Sequence, residues 1–365
     1  MSILPMAQIN RDSNRITVEG SCDVQSFHYL LSHIHHAIEK AGYQEIILDF
    51  GACTSAYPSS MVAICAQVMS NRDAGIDIAT ELPSDNKLLR LFQNTNWAYL
   101  LDPRKYDPST FRGYTQVPVT QYKTPEEQHD AVNRIVNAIL GAIPNMERSD
   151  FAAFEWSINE ITDNVLTHAQ SPIGGVVQVS TFQRNKKLVQ FIVADAGVGI
   201  PHTLRETHPE LTSDTDALDK AIREGVTRDK SVGQGNGLFG SYQICSHCNG
   251  KFQVDSGHGR LLFTENKGLR VSNEKIPYAG TLVVAEIDFS KPHLLEEALK
   301  FGGEKYTPVD FVETNYESIG SERIVFKMKE EAESFGSRPA GTPVRNKLKN
   351  LFAMSESQKI FVDFE

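Results

Sequence analysis

Three short words in fixed order constrain this chain more than anything else in it: Glu160-Ile-Thr-Asp-Asn164, Asp195-Ala-Gly197-Val-Gly199 and Gly233-Gln-Gly235-Asn-Gly237-Leu238. The first falls in a helical stretch, the second ends an apolar strand, and the third opens another helix. A chain that uses all three together brings two helical segments to the carboxyl end of a strand, the layout of a folded-over nucleotide pocket. Taken singly they are a polar helix face, an everyday Asp-x-Gly-x-Gly turn and a glycine-rich helix start.

The spacing within each word gives it chemistry. Glu160 and Asn164 are four residues apart on one helix, so their side chains share a face about 5–6 Å apart at Cβ. That pairing suits a base and a neutral oxygen ligand for Mg²⁺, a hard cation that bridges phosphates. Asp195 ends the strand Leu188 to Ala194, where ligand-binding groups emerge from α/β sheets, and its carboxylate can accept from an exocyclic amine such as that of adenine. Gly197 and Gly199 let the backbone turn tightly beside a flat ring. Gly233, Gly235 and Gly237 place backbone N–H groups ahead of the apolar run that begins at Leu238, a phosphate cradle at a helix N-terminus. No Gly-Lys-Ser/Thr follows, so this is not a P-loop.

These residues resemble the N, G1 and G2 boxes of the GHKL ATPase superfamily, and Gly280-Thr281 resembles its final Gly-Thr element, over about residues 122–290. The resemblance implies helices layered on a mixed sheet with Mg-ATP between them. It assigns Mg²⁺ to Asn164, the candidate base to Glu160, adenine to Asp195 and support of the adenine end to Thr281. Gly197, Gly199, Gly233, Gly235, Gly237 and Leu238 complete the expected nucleotide site. A lid is implied from about Pro201 to Val232, and in it Arg223, Arg228 and Lys230 are either phosphate contacts or solvated loop charges.

At 365 residues the chain calls for two or three domains, and 40% hydrophobic residues supply real cores. Ile16 and Val18 in a strand, the helical run from Asp23 to Gly42, the strand Glu45 to Phe50, a helix from about Ser59 to Asn71, a strand Ile76 to Thr80 and a helix from about Asp85 to Thr95 alternate. They predict a mainly parallel sheet with helices packed on it. That order, with Ile46-Ile-Leu-Asp49-Phe50-Gly51, Pro58-Ser59-Ser60-Met61 and Leu82-Pro83-Ser84, resembles a STAS domain, the fold of anti-sigma-factor antagonists. The family pattern Asp-Ser-Ser-Gly would make Ser59 a phosphoacceptor. Pro58 and Met61 depart from it, and Pro58-Ser59-Ser60 also reads as a plain helix start with a capping hydroxyl.

Residues from about Pro103 to Gln121 show no period and read as a linker. Thr124-Pro-Glu-Glu127 is a capping box that starts a helix running to about Ala142, and a second helix spans roughly Asp150 to His168. After Asp288, Glu322 to Lys327 reads as a strand, Pro343 to Phe352 as a helix and Lys359 to Phe364 as a strand. With Phe335-Gly-Ser-Arg338 they resemble the first half of a further STAS-like domain, one expected to be incomplete. The expected fold is therefore α/β and α+β multidomain: a STAS-like domain at 1–103, a linker at 104–121, a GHKL (Bergerat) α/β sandwich at 122–290 and a STAS-like segment at 291–365.

A net charge of −10 gives no basic stripe for extended nucleic-acid contacts. Five scattered cysteines argue against a disulfide framework, and the lone Cys245-Ser-His-Cys248 pair is too few ligands for structural zinc. His33, His35 and His36 lack the paired long helices of a phosphohistidine unit. The start of the chain has no basic-then-apolar leader and no apolar stretch of about 18 residues occurs, so the cytoplasm is expected, with no membrane association. Pairing a GHKL ATPase with STAS units resembles the anti-sigma-factor serine kinases, which implies ATP and Mg²⁺ as cofactors. The implied partners are proteins, STAS or sigma-factor-like, with a homodimer left open. A serine/threonine kinase and an ATP-hydrolysing switch without kinase activity are both open readings, whereas a topoisomerase-type ATPase would need a transducer domain that the sequence does not show.

Overall fold

Alternation of buried Ile16 and Val18 with polar neighbours sets the central strand of the N-terminal unit. The computed structural model describes residues 7–23, 26–111, 116–182, 187–223, 225, 237–290, 298–301, 304–305, 310–317, 323–331, 338–355 and 359–364. Strand β2 (Arg15–Cys22) pairs antiparallel with β1 (Gln8–Asp12) and parallel with β3 (Glu45–Asp49), which in turn pairs parallel with β5 (Asp77–Glu81). The far half of β2 pairs with β4 (Cys53–Ala56). Helices α1 (Ser26–His35), α2 (Pro58–Asp73), α3 (Asn86–Asn94) and α4 (Trp97–Leu101) complete the unit. Asp85 caps α3 by accepting from the Lys87 and Leu88 amides. At the start of α2 the residue before Pro58 is Tyr57, which has no side-chain cap, so the expected capping hydroxyl does not operate there.

The second unit is a five-stranded sheet in the order β6-β7-β8-β10-β9: β6 (Gln116–Tyr122), β7 (Gly175–Phe182), β8 (Leu188–Asp195), β10 (Gly268–Asp288) and β9 (Lys251–Thr264). Every pairing is antiparallel, where the resemblance implied a mixed sheet. The expected linker ends earlier than its composition suggested, because β6 is the edge strand of this sheet and buries Val117, Val119 and Tyr122. Pro118 hid that strand; at an edge a missing N–H is tolerated, and here the register slips between Val117 and Thr120.

Helices α5 (Pro125–Ala142) and α6 (Arg148–Asn164) cover one face, with α9 (Gly237–His247) beside α6. The Thr124 hydroxyl accepts from the Glu127 amide at 3.3 Å while the Glu127 carboxylate accepts from the Lys123 amide at 2.6 Å, a reciprocal cap of the kind the sequence predicts. Two further short helices, α7 (Ile200–Arg205) and α8 (Asp214–Ala221), lie in the expected lid. α8 is packed rather than free: Ala217 and Leu218 are fully buried, and the helix lies on β9.

Both faces of this sheet are covered. Val177, Val179, Phe191 and Val193 meet the α5 and α6 side, while Val176, Ile192, Ala194, Leu282 and Val284 share a core with α2 of the N-terminal unit. α2 is accordingly buried all round from Ser59 to Met69, with Met61, Val62, Ile64 and Val68 fully buried. Each such side chain contributes about 1.5–3 kcal/mol on burial. A hydrogen bond from Trp97 Nε1 to Gln178 Oε1 at 2.9 Å ties the two units inside that interface.

The C-terminal residues join the second unit instead of standing apart. A short hairpin, β11 (Lys300–Phe301) and β12 (Glu304–Lys305), precedes α10 (Phe311–Asn315), β13 (Ile324–Lys327), α11 (Met328–Glu331), α12 (Arg338–Met354) and β14 (Ile360–Asp363). β13 and β14 pair in parallel across α12. α12 begins at Arg338 and carries Pro343 inside it, so the helix starts a turn before the sequence suggested. Asn350 donates to the Leu140 and Ile143 carbonyls at 2.8 and 2.7 Å, and Asn346 to that of Gly141 at 3.0 Å, satisfying acceptors that the end of α5 leaves open. Arg148 bridges Asp310 and Glu317, both at 2.7 Å. Among the described residues no helix is long and apolar enough to cross a membrane.

Candidate functional site

α6 is held in place from both sides before it presents any chemistry. The buried Tyr122 hydroxyl of β6 donates to the Thr162 carbonyl at 3.2 Å, and Gln128 of α5 donates to the Thr162 hydroxyl at 2.7 Å. On the other side Ser157 donates to Ser241 at 2.9 Å, and Ser241 to the Gly237 carbonyl at 2.8 Å, clasping α6 to the first turn of α9. Gly237 thereby lies on the Glu160/Asn164 face. A Cβ there would stand 2.6 Å from Glu160 Oε2 and 3.5 Å from Asn164 Nδ2, so a side chain at this position would push the Glu160 carboxylate aside.

Glu160 and Asn164 are half-buried, one turn apart. Burial pushes the Glu160 carboxyl above its ordinary range, and the neighbouring Asp163 charge adds to the effect. A carboxylate of raised basicity is the better proton acceptor. After Asn164 the helix widens into a π turn, Val165–Ala169, and Gln170 closes it in the left-handed region.

The second word meets that turn directly. Val198 N–H donates to the Ala169 carbonyl at 2.8 Å, and a Cβ on Gly197 would fall 1.9 Å from the same oxygen. Asp195 is 2% exposed, and its Oδ1 accepts from the Gly197 amide at 2.8 Å. Burial raises its carboxyl to about 7, against the opposing pull of the Gly197 and Thr281 backbone donors. Gly199 has φ +80 and begins α7.

Thr281 joins through Ser256, a residue that motif reading did not single out. Ser256 Oγ donates to the Gly280 carbonyl at 2.7 Å, accepts from Ile200 N–H at 2.9 Å and lies 3.3 Å from Thr281 Oγ1. Nothing separates Asp255-Ser256-Gly257 from an ordinary turn in the sequence; only the pairing of Ser256 with Thr281 across β9 and β10 gives it a role. Gly280 has φ +94, and a Cβ there would sit 2.4 Å from the Asp195 carbonyl.

The structure thus brings together Glu160, Asn164, Gly237, Asp195, Gly197, Gly199 and Thr281, with Leu238 partly buried against the core. Gly233, Gly235, Arg228 and Lys230 lie outside the described residues. Arg223 is described, two residues past the end of α8, and pairs with Asp219 of that helix. Ser59 belongs to the other unit, at the start of α2, and is only 6% exposed, with Ser60 beside it fully buried. Cys245 and Cys248 are buried, and burial raises both thiols, that of Cys248 to about 11.

Residues 152–290 match the family model described as histidine kinase-, DNA gyrase B-, and HSP90-like ATPase. Among solved structures, a histidine kinase domain from the Erythrobacter litoralis EL346 blue-light activated histidine kinase matches at 16% identity and a TM-score of 0.25. The match covers 46% of this chain and 68% of that one. No curated protein matches the chain. Family match and local geometry coincide on the same stretch: residues 152–290 are a GHKL-type ATPase domain.

Proposed function

We propose that the chain is a Mg-ATP-binding regulatory protein in which nucleotide state controls the binding of a protein partner. The observation that carries this reading is the contact chain from Glu160 and Asn164 through Gly237 on one side and Ala169, Gly197 and Asp195 on the other. The donor set fits the nucleotide. Asn164 Oδ1 offers a hard oxygen to Mg²⁺, which when bound would neutralise phosphate charge. Asp195 offers a buried acceptor for the adenine amine, and Thr281 backs it from β10. Gly237 and Leu238, at the start of α9, offer backbone donors to phosphate, the role that the resemblance also implies for Gly233 and Gly235. Glu160 is the candidate base for a water or hydroxyl.

A STAS-like reading of residues 1–103 is supported by the alternating strands and helices and the parallel pairing of β2, β3 and β5. The parallel pair β13 and β14 across α12 supports the same reading for 291–365. With these units the architecture resembles the anti-sigma serine kinases. Partners would be STAS or sigma-factor-like proteins, or a second copy of the chain, in the cytoplasm.

An ATP-hydrolysing switch without kinase activity is the second reading, and the burial of Ser59 favours it. Incubation with γ-labelled ATP separates the two. Protein labelling that disappears in Ser59→Ala supports a kinase acting on that serine. Phosphate release without labelling supports the hydrolytic switch, and an absence of both leaves a switch operated by binding alone.

A further inference from the structure

The back of the candidate adenine pocket, on β10, is braced by the N-terminal unit. β10 slips against β9 between Tyr278 and Thr281, and of the two residues in that slip, Ala279 and Gly280, the glycine lies close against Asp195. Gln67 of α2 reaches this point: its Nε2 donates to the Ala279 carbonyl at 2.6 Å. Tyr278, 1% exposed, donates its hydroxyl to the Asp195 carbonyl at 3.2 Å. The Tyr278 ring in turn stands edge-on to Phe27 of α1, 6.3 Å between centroids. The residue after Phe27, His28, lies 3.3 Å from Asp255 Oδ1, next to Ser256.

We infer that Gln67 and Tyr278 are positioning residues through which the N-terminal unit sets the aim of the Asp195 carboxyl, and hence the preference of the site for adenine. The inference rests on the proposed nucleotide reading. A part-buried hydrogen bond from Gln67 and a buried one from Tyr278 fix the backbone on either side of the Asp195 contact, and a strand slip with a positive-φ glycine lacks the ladder bonds that would otherwise hold it. Release of either bond lets the carboxyl shift without unfolding the pocket.

The test uses the full chain and compares Mg-ATP with Mg-ITP, whose base carries an oxo group where adenine carries the amine that Asp195 would accept from. In Gln67→Ala and in Tyr278→Phe, ATP affinity falls about three- to tenfold, the scale of one net hydrogen bond. ITP affinity stays within about twofold, so the preference for ATP shrinks. Retained ITP binding also reports that the pocket is folded, and Tyr278→Phe removes a single hydroxyl should the α2 variant fold poorly. ATP and ITP weakening in parallel, or a preference unchanged in both variants, overturns the inference while leaving the nucleotide reading intact. A wild-type chain with no preference for ATP over ITP overturns the adenine reading itself, and the inference with it.

Discussion

Replacing Asp195 by Asn should make the nucleotide-free protein more stable at alkaline pH while removing its recognition of ATP. In the folded chain the Asp195 carboxyl is raised from 3.8 to about 7 by burial. An acid whose folded value lies above its unfolded one is uncharged in both states below about pH 4, so there is no cost there. Between about 4 and 7 the unfolded chain releases the proton and the folded chain keeps it, and stability falls by up to about 1.4 kcal/mol per pH unit. Above about 7 the cost is complete, at about 4 kcal/mol, against about 1.5 kcal/mol at pH 5. Asn cannot ionise, but its amide group would face one of the backbone donors now bound by carboxylate oxygen, at a cost of about 1–3 kcal/mol that does not depend on pH. The stability difference between Asp195→Asn and wild type, measured by urea unfolding, should therefore move by about 2–3 kcal/mol in favour of the variant between pH 5 and pH 8. Over the same range wild-type ATP affinity should rise as the carboxylate forms, levelling off above about 7, while the variant binds at least about tenfold more weakly at pH 8. A stability difference that is the same at both pH values would refute the burial argument.

Three further substitutions probe the geometry around this carboxyl. Gly237→Ala adds a methyl 2.6 Å from the movable end of Glu160, so stability should change by less than about 1 kcal/mol while phosphate release falls; a variant as active as wild type would show that Glu160 does not act from that position. Gly280→Ala places a Cβ 2.4 Å from the Asp195 backbone at φ +94 and should cost at least about 1–3 kcal/mol in unfolding free energy together with ATP binding, whereas ready tolerance would contradict the close approach. Arg148→Ala leaves the carboxylates of Asp310 and Glu317 without their shared guanidinium, and limited proteolysis should then cut the C-terminal segment sooner, with a loss of about 2–3 kcal/mol; unchanged cleavage would show that the bridge adds nothing.

What the sequence made legible was local. The Thr124/Glu127 cap, the four-residue spacing of Glu160 and Asn164, and the strand ending at Asp195 are each written within a few neighbouring residues, and the structure reproduces them. Less legible were features that arise only when distant segments meet. The near-continuous apolar runs of β7 and β8 mark a sheet buried on both faces, yet nothing in them says that α2 supplies the second cover. β6 was masked by Pro118, whose missing N–H costs little on an edge. The expected lid is partly a packed helix because Ala217 and Leu218 find β9, and the C-terminal segment joins the ATPase core because Asn346 and Asn350 find the open carbonyls of α5. Ser59 illustrates the same limit in the site. Its neighbourhood invites a phosphoacceptor reading, yet it is only 6% exposed, at the start of a helix that packs on β7 and β8, more than a hundred residues further along the chain.

The central claim is that Asn164 and its neighbours hold Mg-ATP, and calorimetric titration of ATP with and without Mg²⁺ into wild type and Asn164→Ala tests it most directly. Wild type should bind ATP much more tightly with Mg²⁺ than without it, and Asn164→Ala should lose at least about tenfold in affinity with Mg²⁺ and little without it. A wild-type chain that takes up no ATP, or a variant whose Mg-dependent affinity is unchanged, would contradict the account.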